Sequence, residues 1–315
     1  MTTIQQVLFE LETDYMGHPY YLTGHALYTA LARRVDAQAR RSLNVSTGVF
    51  VPGEYGAYPE SHSHDGYGGK LGMSLPPVES YEDVFVCRDA AQRWLLDSRP
   101  RDAHNTHDVQ SHGGRLAFAP KAHFGRPPEH RNSKRTMHWH VHCYLHADGG
   151  DEDVLPLSVD VLDGLRVGGG RNYGFGELSL AETQVIDLDD LDYSRVREAD
   201  NVQLELLSPY VLQSDSPGAD SQSVPWWWES DGEFRRRTGR LVAGDECHEL
   251  AMIDHGQVVG YAGDRPVETA INGIQRVGTH AKFGFGEFRV RPVSKDRVPG
   301  RVSIAGPRET VGGER

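Results

Sequence analysis

The sequence predicts an α+β protein of two related domains in tandem, the first enlarged by an insertion. Three observations carry this. The segment Arg166 to Leu178, RVGGGRNYGFGEL, returns 110 residues later as Arg276 to Phe288, RVGTHAKFGFGEF, identical at seven of thirteen positions without a gap. A similar opening strand precedes each copy, because Glu10, Leu11 and Tyr15 recur in register as Glu205, Leu206 and Tyr210. From opening strand to glycine loop the second copy takes about 75 residues and the first about 160, which places an insertion within about 42–135.

The elements follow in chain order. Val7, Phe9 and Leu11 alternate with Leu8, Glu10 and Glu12, a period of two that reads as a strand. Thr23 is a helix cap before Leu27, Leu31 and Val35 at helical spacing, with Arg33 and Arg34 near the end. Residues 48–80, rich in Gly, Pro, Ser, Tyr and His, read as irregular loop, and Ala90 to Leu96 as a short helix. Met137, Trp139, Val141, Cys143 and Leu145 alternate with His138, His140, His142, Tyr144 and His146. That strand has one apolar face and one histidine face. Short alternation after each glycine loop, at Glu177 to Leu180 and Glu287 to Val290, places each loop before the last strand of its unit. Asp187 to Asp200 reads as the interdomain linker and Val202 to Leu206 as the second opening strand, giving domains at 1–190 and 199–292 and a solvated tail at 293–315.

Composition bounds what such a chain does. Its 315 residues, 38% hydrophobic, suit about two soluble domains. No run approaches the roughly 20 apolar residues of a membrane span, and the start MTTIQQ lacks the basic and apolar parts of a secretion signal, so a cytoplasmic protein without membrane partners is expected. Cys87, Cys143 and Cys247 are odd in number and far apart, which suits reduced thiols. The formal charge of −12 argues at first against nucleic acid. Yet the cations are 28 Arg and 5 Lys, and acid is spread in runs such as Asp187 to Asp190 and Asp151 to Asp153; this is the pattern of a salt-adapted, halophilic protein whose acidity serves solubility. Locally the sign reverses. Residues 121–135 hold Lys121, Arg126, Arg131, Lys134 and Arg135 against Glu129, and Arg235 to Arg237 with Arg240 form a second knot. Each is either a phosphate-binding surface or a solvated loop.

The glycine loops exclude two familiar devices. A dinucleotide fold places its glycines straight after the first strand, and a Walker loop needs Gly-Lys-Ser/Thr; neither pattern is present. Glycine instead lets main-chain amides approach phosphate oxygens closely, and cations at the loop edges add charge. On that reasoning the phosphate-contacting candidates, which the resemblance given below assigns to RNA, are Arg166, Gly168, Gly169, Gly170, Arg171, Gly174 and Gly176 in the first loop. Arg276, Gly278, His280, Lys282, Gly284 and Gly286 are their counterparts in the second, with Arg131, Lys134 and Arg135 of the basic run. Tyr173 and Phe283 either stack on an exposed base or close a domain core. Trp226 to Trp228 form either a stacking platform, a subunit contact or part of a domain interface.

Two domains, each ending in an arginine-led G-x-x-x-x-x-G-F-G-E loop before a closing strand, resemble the RAMP superfamily of CRISPR-associated proteins. The motif runs from Gly168 to Glu177 and from Gly278 to Glu287, and the likeness covers about a tenth of the chain. The resemblance implies tandem ferredoxin-like, RNA-recognition-motif-like βαββαβ units whose glycine loops contact guide (crRNA) or repeat RNA. The expected protein is then a subunit of an antiviral effector complex, with other CRISPR effector subunits as partners and no cofactor.

The alternative within the same resemblance is a metal-independent endoribonuclease that processes the precursor guide at the repeat. Such chemistry needs a base for the 2′-hydroxyl and an acid for the leaving oxygen. By the resemblance His25 is the first choice of base, with Tyr28 about one turn away. His138, His140 and His142, or His62, His64 and Asp65, are alternative arrangements for a divalent metal, though a polar strand face explains the first equally well and no metal is expected. A protein-binding scaffold is the third reading.

Overall fold

The structure, a computed structural model, describes residues 2–18, 21–54, 74–89, 109–112, 115–123, 136–148, 154–230, 232–243 and 246–293. The first half supplies strands β1 (Thr3–Leu11), β2 (Tyr21–Leu22), β3 (Leu43–Val45), β4 (Gly48–Glu54), β5 (Val109–His112), β6 (Arg115–Phe118), β7 (Lys121–His123), β8 (Thr136–Ala147), β9 (Leu165–Arg166) and β10 (Glu177–Asp187). Eight of these form one antiparallel sheet in the order β2-β4-β8-β1-β10-β9, with β3 and β7 also paired to β8, while β5 and β6 make a separate hairpin. The expected strands at β1 and β8 are present as central strands of this sheet, each buried on both faces.

A helix at Gly24–Leu31 covers one face of this sheet. Thr23 caps it, its side chain accepting from the Ala26 amide at 3.2 Å, and Leu27 and Leu31 are buried beneath it. Loss of such a cap costs about 1 kcal/mol. The helix stops short of Val35 because Asp36 caps a second helix, Ala37–Ser42, accepting from the Gln38 and Ala39 amides at 2.9 and 2.8 Å. Leu27, Leu31, Phe9, Val141, Trp139 and Leu178 form the first core.

The second half contains β11 (Val202–Leu206), β12 (Tyr210–Ser214), β13 (Trp228–Glu229), β14 (Arg236–Ala243), β15 (Glu246–Ile253), β16 (Val258–Tyr261) and β17 (Phe288–Pro292). They form a four-stranded sheet, β13-β16-β11-β17, and a three-stranded one, β12-β15-β14. A helix at Pro266–Gln275, with proline in its first turn, buries Ala270 and Ile274 against β17.

The expectation of two tandem ferredoxin-like βαββαβ domains is therefore corrected. Among the described residues strand outweighs helix, 40% against 24%, and the first sheet curls into a half-barrel. In the second half the chain leaves β11 for β12 and the β14–β15 hairpin where the expected pattern has a helix. In the first half the second expected helix shrinks to the four residues Val159–Leu162. The segment read as irregular from residue 48 begins with β4, whose proline is tolerated because β2 pairs only with Gly48 and Val49, leaving Pro52 bonded on one side. The helix expected at Ala90 to Leu96 and the tail beyond Val293 lie outside the described residues.

The two halves share a second core. Ile4, Tyr144 and Ile186 from the first sheet pack with Leu204, Leu206, Ile274 and Phe288. The 3-10 turn Tyr81–Phe85 sits between them: the Tyr81 hydroxyl accepts from the Val290 amide at 2.9 Å, and the Tyr144 hydroxyl donates to the Val84 carbonyl. The linker contributes Leu188, Leu191, Tyr193 and Val196 to this core, so it is packed in place.

Candidate functional site

The repeated loops share one backbone. Positive φ occurs at Gly168, Gly170, Gly174 and Gly176 (77°, 68°, 90°, 69°) and at Gly278, His280, Gly284 and Gly286 (94°, 63°, 89°, 77°). The Val167 amide donates to the Gly176 carbonyl at 2.9 Å and the Val277 amide to the Gly286 carbonyl at 3.2 Å, closing each loop at its neck. Gly176 and Gly286 serve this closure: a Cβ on either would lie 1.9 Å from the carbonyl oxygen of Val167 or Val277.

Their surroundings differ completely. The first loop is open. Tyr173 is 86% exposed, and a Cβ at Gly174 meets nothing within 4 Å. The amides of Gly170, Arg171 and Asn172 have no acceptor among the described residues, and neither does the Arg171 guanidinium have an acidic partner there. Arg166 pairs with Glu177 at 3.0 Å, and both remain partly exposed. Gly169 is held by its amide donating to the Met16 carbonyl at 2.8 Å.

The second loop is wedged against the first half. Phe283 lies edge-on to His25 and Tyr28, with ring centroids 5.0 and 5.1 Å away. Lys282 Nζ stands 4.7 Å from the Tyr28 ring centre and donates to the Arg40 and Arg41 carbonyls at 2.6 and 3.2 Å, at the end of the helix Ala37–Ser42. A cation there satisfies terminal carbonyls and favours the helix dipole. The Thr47 hydroxyl donates to the Gly284 carbonyl at 3.2 Å. The structure thus brings His25 and Tyr28 to the second glycine loop, but as packing partners. Tyr28 donates its hydroxyl to the Arg40 carbonyl at 2.8 Å, and burial lowers the pKa of His25.

A groove of about 330 Å³ opens beside this wedge, lined by Asn44, His146, Asp148, Arg276, His280 and Lys282 among others. Arg276 occupies a positive φ of 69°, a conformation costly for any side-chain-bearing residue, by about 1–3 kcal/mol. Its buried guanidinium offsets the strain by donating to the Ala281 and Ile274 carbonyls at 3.1 and 3.3 Å and to His146 Nδ1 at 2.7 Å. Guanidinium has no acceptor, so His146 Nδ1 must accept and the ring proton sits on Nε2, 3.5 Å from Asp148 Oδ1. Burial, helped by the Arg276 charge, lowers the His146 pKa to about 4, and the His146 hydrogen bond holds the Asp148 carboxyl below its ordinary value. Burial brings Arg276 down to about 10 against the opposing pull of Glu287. His280 Nε2 lies 2.8 Å from the Ser214 hydroxyl.

Beneath the groove, Glu287 is fully buried (0% exposed) and pairs with Arg88 at 2.9 Å. Arg88 also donates to the Ser46 hydroxyl and Thr47 carbonyl and lies over the Tyr144 ring. The same letters in the two repeats therefore take different partners: Arg166 and Glu177 meet each other, whereas Arg276 and Glu287 are drawn into the seam. His146 appears in the sequence as part of a strand face, and Asn44, Arg88 and Asp148 carry no local signal at all.

Other expected sites fall elsewhere. The histidine face is buried at His140, His142 and His146, which excludes a solvent- or RNA-facing row: Tyr144 on that face packs into the second core, Arg88 lies near His142 and Arg276 meets His146. Among the described residues no group of three or more His, Cys, Asp or Glu is arranged to hold a metal ion. Trp226 is 80% exposed, while Trp227 and Trp228 pack on Phe288. Arg131, Lys134 and Arg135, with His62, His64 and Asp65, lie outside the described residues.

No protein-family model and no curated protein matches the chain. Among the described residues no helix is long and apolar enough to cross a membrane.

Proposed function

We propose that the chain is an RNA-binding protein, a RAMP-like subunit of a CRISPR effector complex that holds guide or repeat RNA. One observation carries the reading: two loops with the same four positive-φ positions, of which the first stands open, with Tyr173 86% exposed, Arg171 partly exposed and three amides without an acceptor among the described residues. Those groups match a ribose-phosphate strand, with amides and guanidinium for phosphate and an aromatic face for a base. The overall charge of −12 is no obstacle when the local surface is cationic and the acid is spread over the remaining surface.

Binding of labelled repeat RNA to wild type and to the Arg171→Glu/Tyr173→Ala variant tests the reading. Loss of one base stack is worth about 1–3 kcal/mol, so the variant is expected to bind about five- to a hundredfold more weakly. Equal binding by the two proteins would refute it.

A further inference from the structure

The groove beside the second glycine loop is lined by Arg276 and His280, at φ 69° and 63° the two non-glycine residues of positive φ among the described residues. Backbone strain of this kind collects at ligand sites. The first loop avoids it, because Gly170 stands where the second has His280, and Arg166 is an exposed strand residue where the second has the buried Arg276. Both strained positions thus place a polar side chain on the groove wall. These side chains keep donors in reserve. The Arg276 guanidinium carries more N–H groups than the three bonded to the Ala281 and Ile274 carbonyls and to His146 Nδ1. The Lys282 ammonium likewise has a donor beyond the two given to the Arg40 and Arg41 carbonyls. The Ser216 amide donates to Ser214 Oγ at 3.1 Å, so the serine hydroxyl is free to donate to His280 Nε2. Burial lowers the His280 pKa and favours the neutral ring, whose proton then sits on Nδ1, without an acceptor among the described residues. Asp148 is the acidic lining residue, and its side chain is 66% exposed. His146 bonds Arg276 through one ring nitrogen and faces Asp148 with the other, so its ring spaces the carboxylate from the guanidinium.

The geometry points to a binding site for a single ribonucleotide, its phosphate held by Arg276, Lys282 and His280 and its ribose hydroxyls by Asp148. A groove of about 330 Å³ is at the small end of ligand pockets, which suits one nucleotide better than a strand. Guanidinium and ammonium donors match phosphate oxygens, and a carboxylate is a common acceptor for a ribose 2′-hydroxyl. An inorganic anion would bring no donor to Asp148; a nucleotide does. The site is separate from the open loop that carries the RNA-binding reading, and its occupant is either a free nucleotide or the phosphorylated end of an RNA.

Isothermal titration calorimetry of the full chain with the common ribonucleoside 5′-monophosphates and their 2′-deoxy forms tests the proposal. At least one ribonucleotide is expected to saturate a single site, with its deoxy form about tenfold weaker, the effect of losing one hydrogen bond to a charged group. Asp148→Asn should erase most of that preference. His280→Gly, which installs the residue of the first loop and relieves the strained φ, should weaken the ribonucleotide about tenfold, and urea unfolding midpoints near the wild type's will show that both variants are folded. A 5′-phosphorylated oligoadenylate of about 4 nucleotides that displaces the nucleotide makes an RNA end the occupant, and one that does not leaves the free nucleotide. Arg171→Glu/Tyr173→Ala is expected to bind nucleotide as wild type does, so failure of RNA binding at the first loop leaves this site standing. No saturable binding by wild type, equal affinity for ribo and deoxy forms, or binding unaltered in both groove variants would overturn the proposal.

Discussion

The duplicated loops contain their own control for what the second one does. Gly174 and Gly284 have matching φ values of 90° and 89°, so an alanine at either position incurs the same left-handed strain, about 1–2 kcal/mol. Only the surroundings differ. At Gly174 the new methyl enters open space, whereas at Gly284 it lies 2.7 Å from the Thr47 amide nitrogen, 3.0 Å from its hydroxyl and 3.1 Å from the Ser46 carbonyl carbon. Two of these three are main-chain atoms that cannot swing aside, and overpacking of this kind costs a further 1–3 kcal/mol or so. Gly174→Ala should therefore destabilise by about 1–2 kcal/mol and Gly284→Ala by about 2–5, measured as urea unfolding free energies of the two variants. Equal losses would refute the claim that the second loop is a wedge between halves.

Further outcomes follow from the seam. Replacing Arg88 by Met leaves the fully buried Glu287 unpaired and should cost about 3–5 kcal/mol in urea unfolding, with much of it recovered when Glu287→Leu is added. His146 titrates near 4 in the fold against 6.5 in an unfolded chain, so below about pH 6.5 the unfolded state takes up a proton that the fold refuses. Stability is then complete above pH 6.5 and falls as pH drops towards 4, by at most roughly 3 kcal/mol from this residue, and His146→Asn should show a shallower decline in unfolding midpoints. Tyr173→Ala, at a side chain 86% exposed, should change stability by no more than about 0.5 kcal/mol, so any loss of RNA binding cannot be ascribed to unfolding.

Much of the frame was legible where side-chain period is strict. The alternation around Val7 to Leu11 and Met137 to Leu145 and the Thr23 cap each rest on short-range rules that need no knowledge of distant partners. The glycine loops were legible for a related reason, since a backbone needing positive φ at fixed intervals shows as repeated glycine. His280 took the αL position of Gly170 without disturbing that pattern.

What failed to show depended on distant contacts. Gly48 and Pro52 disguise β4, and the arginine run masks the period of β14, so a hairpin stood where helix was expected. The histidine face has polar letters, yet it is buried, in part by Arg88 and Arg276 from distant points of the chain, and no local rule distinguishes a solvated histidine from one so covered. Arg276 and His146 are 130 residues apart, and the same Arg-to-Glu spacing in the first repeat produces an exposed pair instead. Shared sequence here predicted shared backbone and not shared environment.

The most direct measurement is photocrosslinking of repeat RNA carrying 4-thiouridine, followed by mass spectrometry of the attached peptide. The proposal predicts adducts at Tyr173 within the first loop and none at Phe283. Adducts confined to the second loop, or found only on surfaces remote from Arg171 and Tyr173, would contradict it.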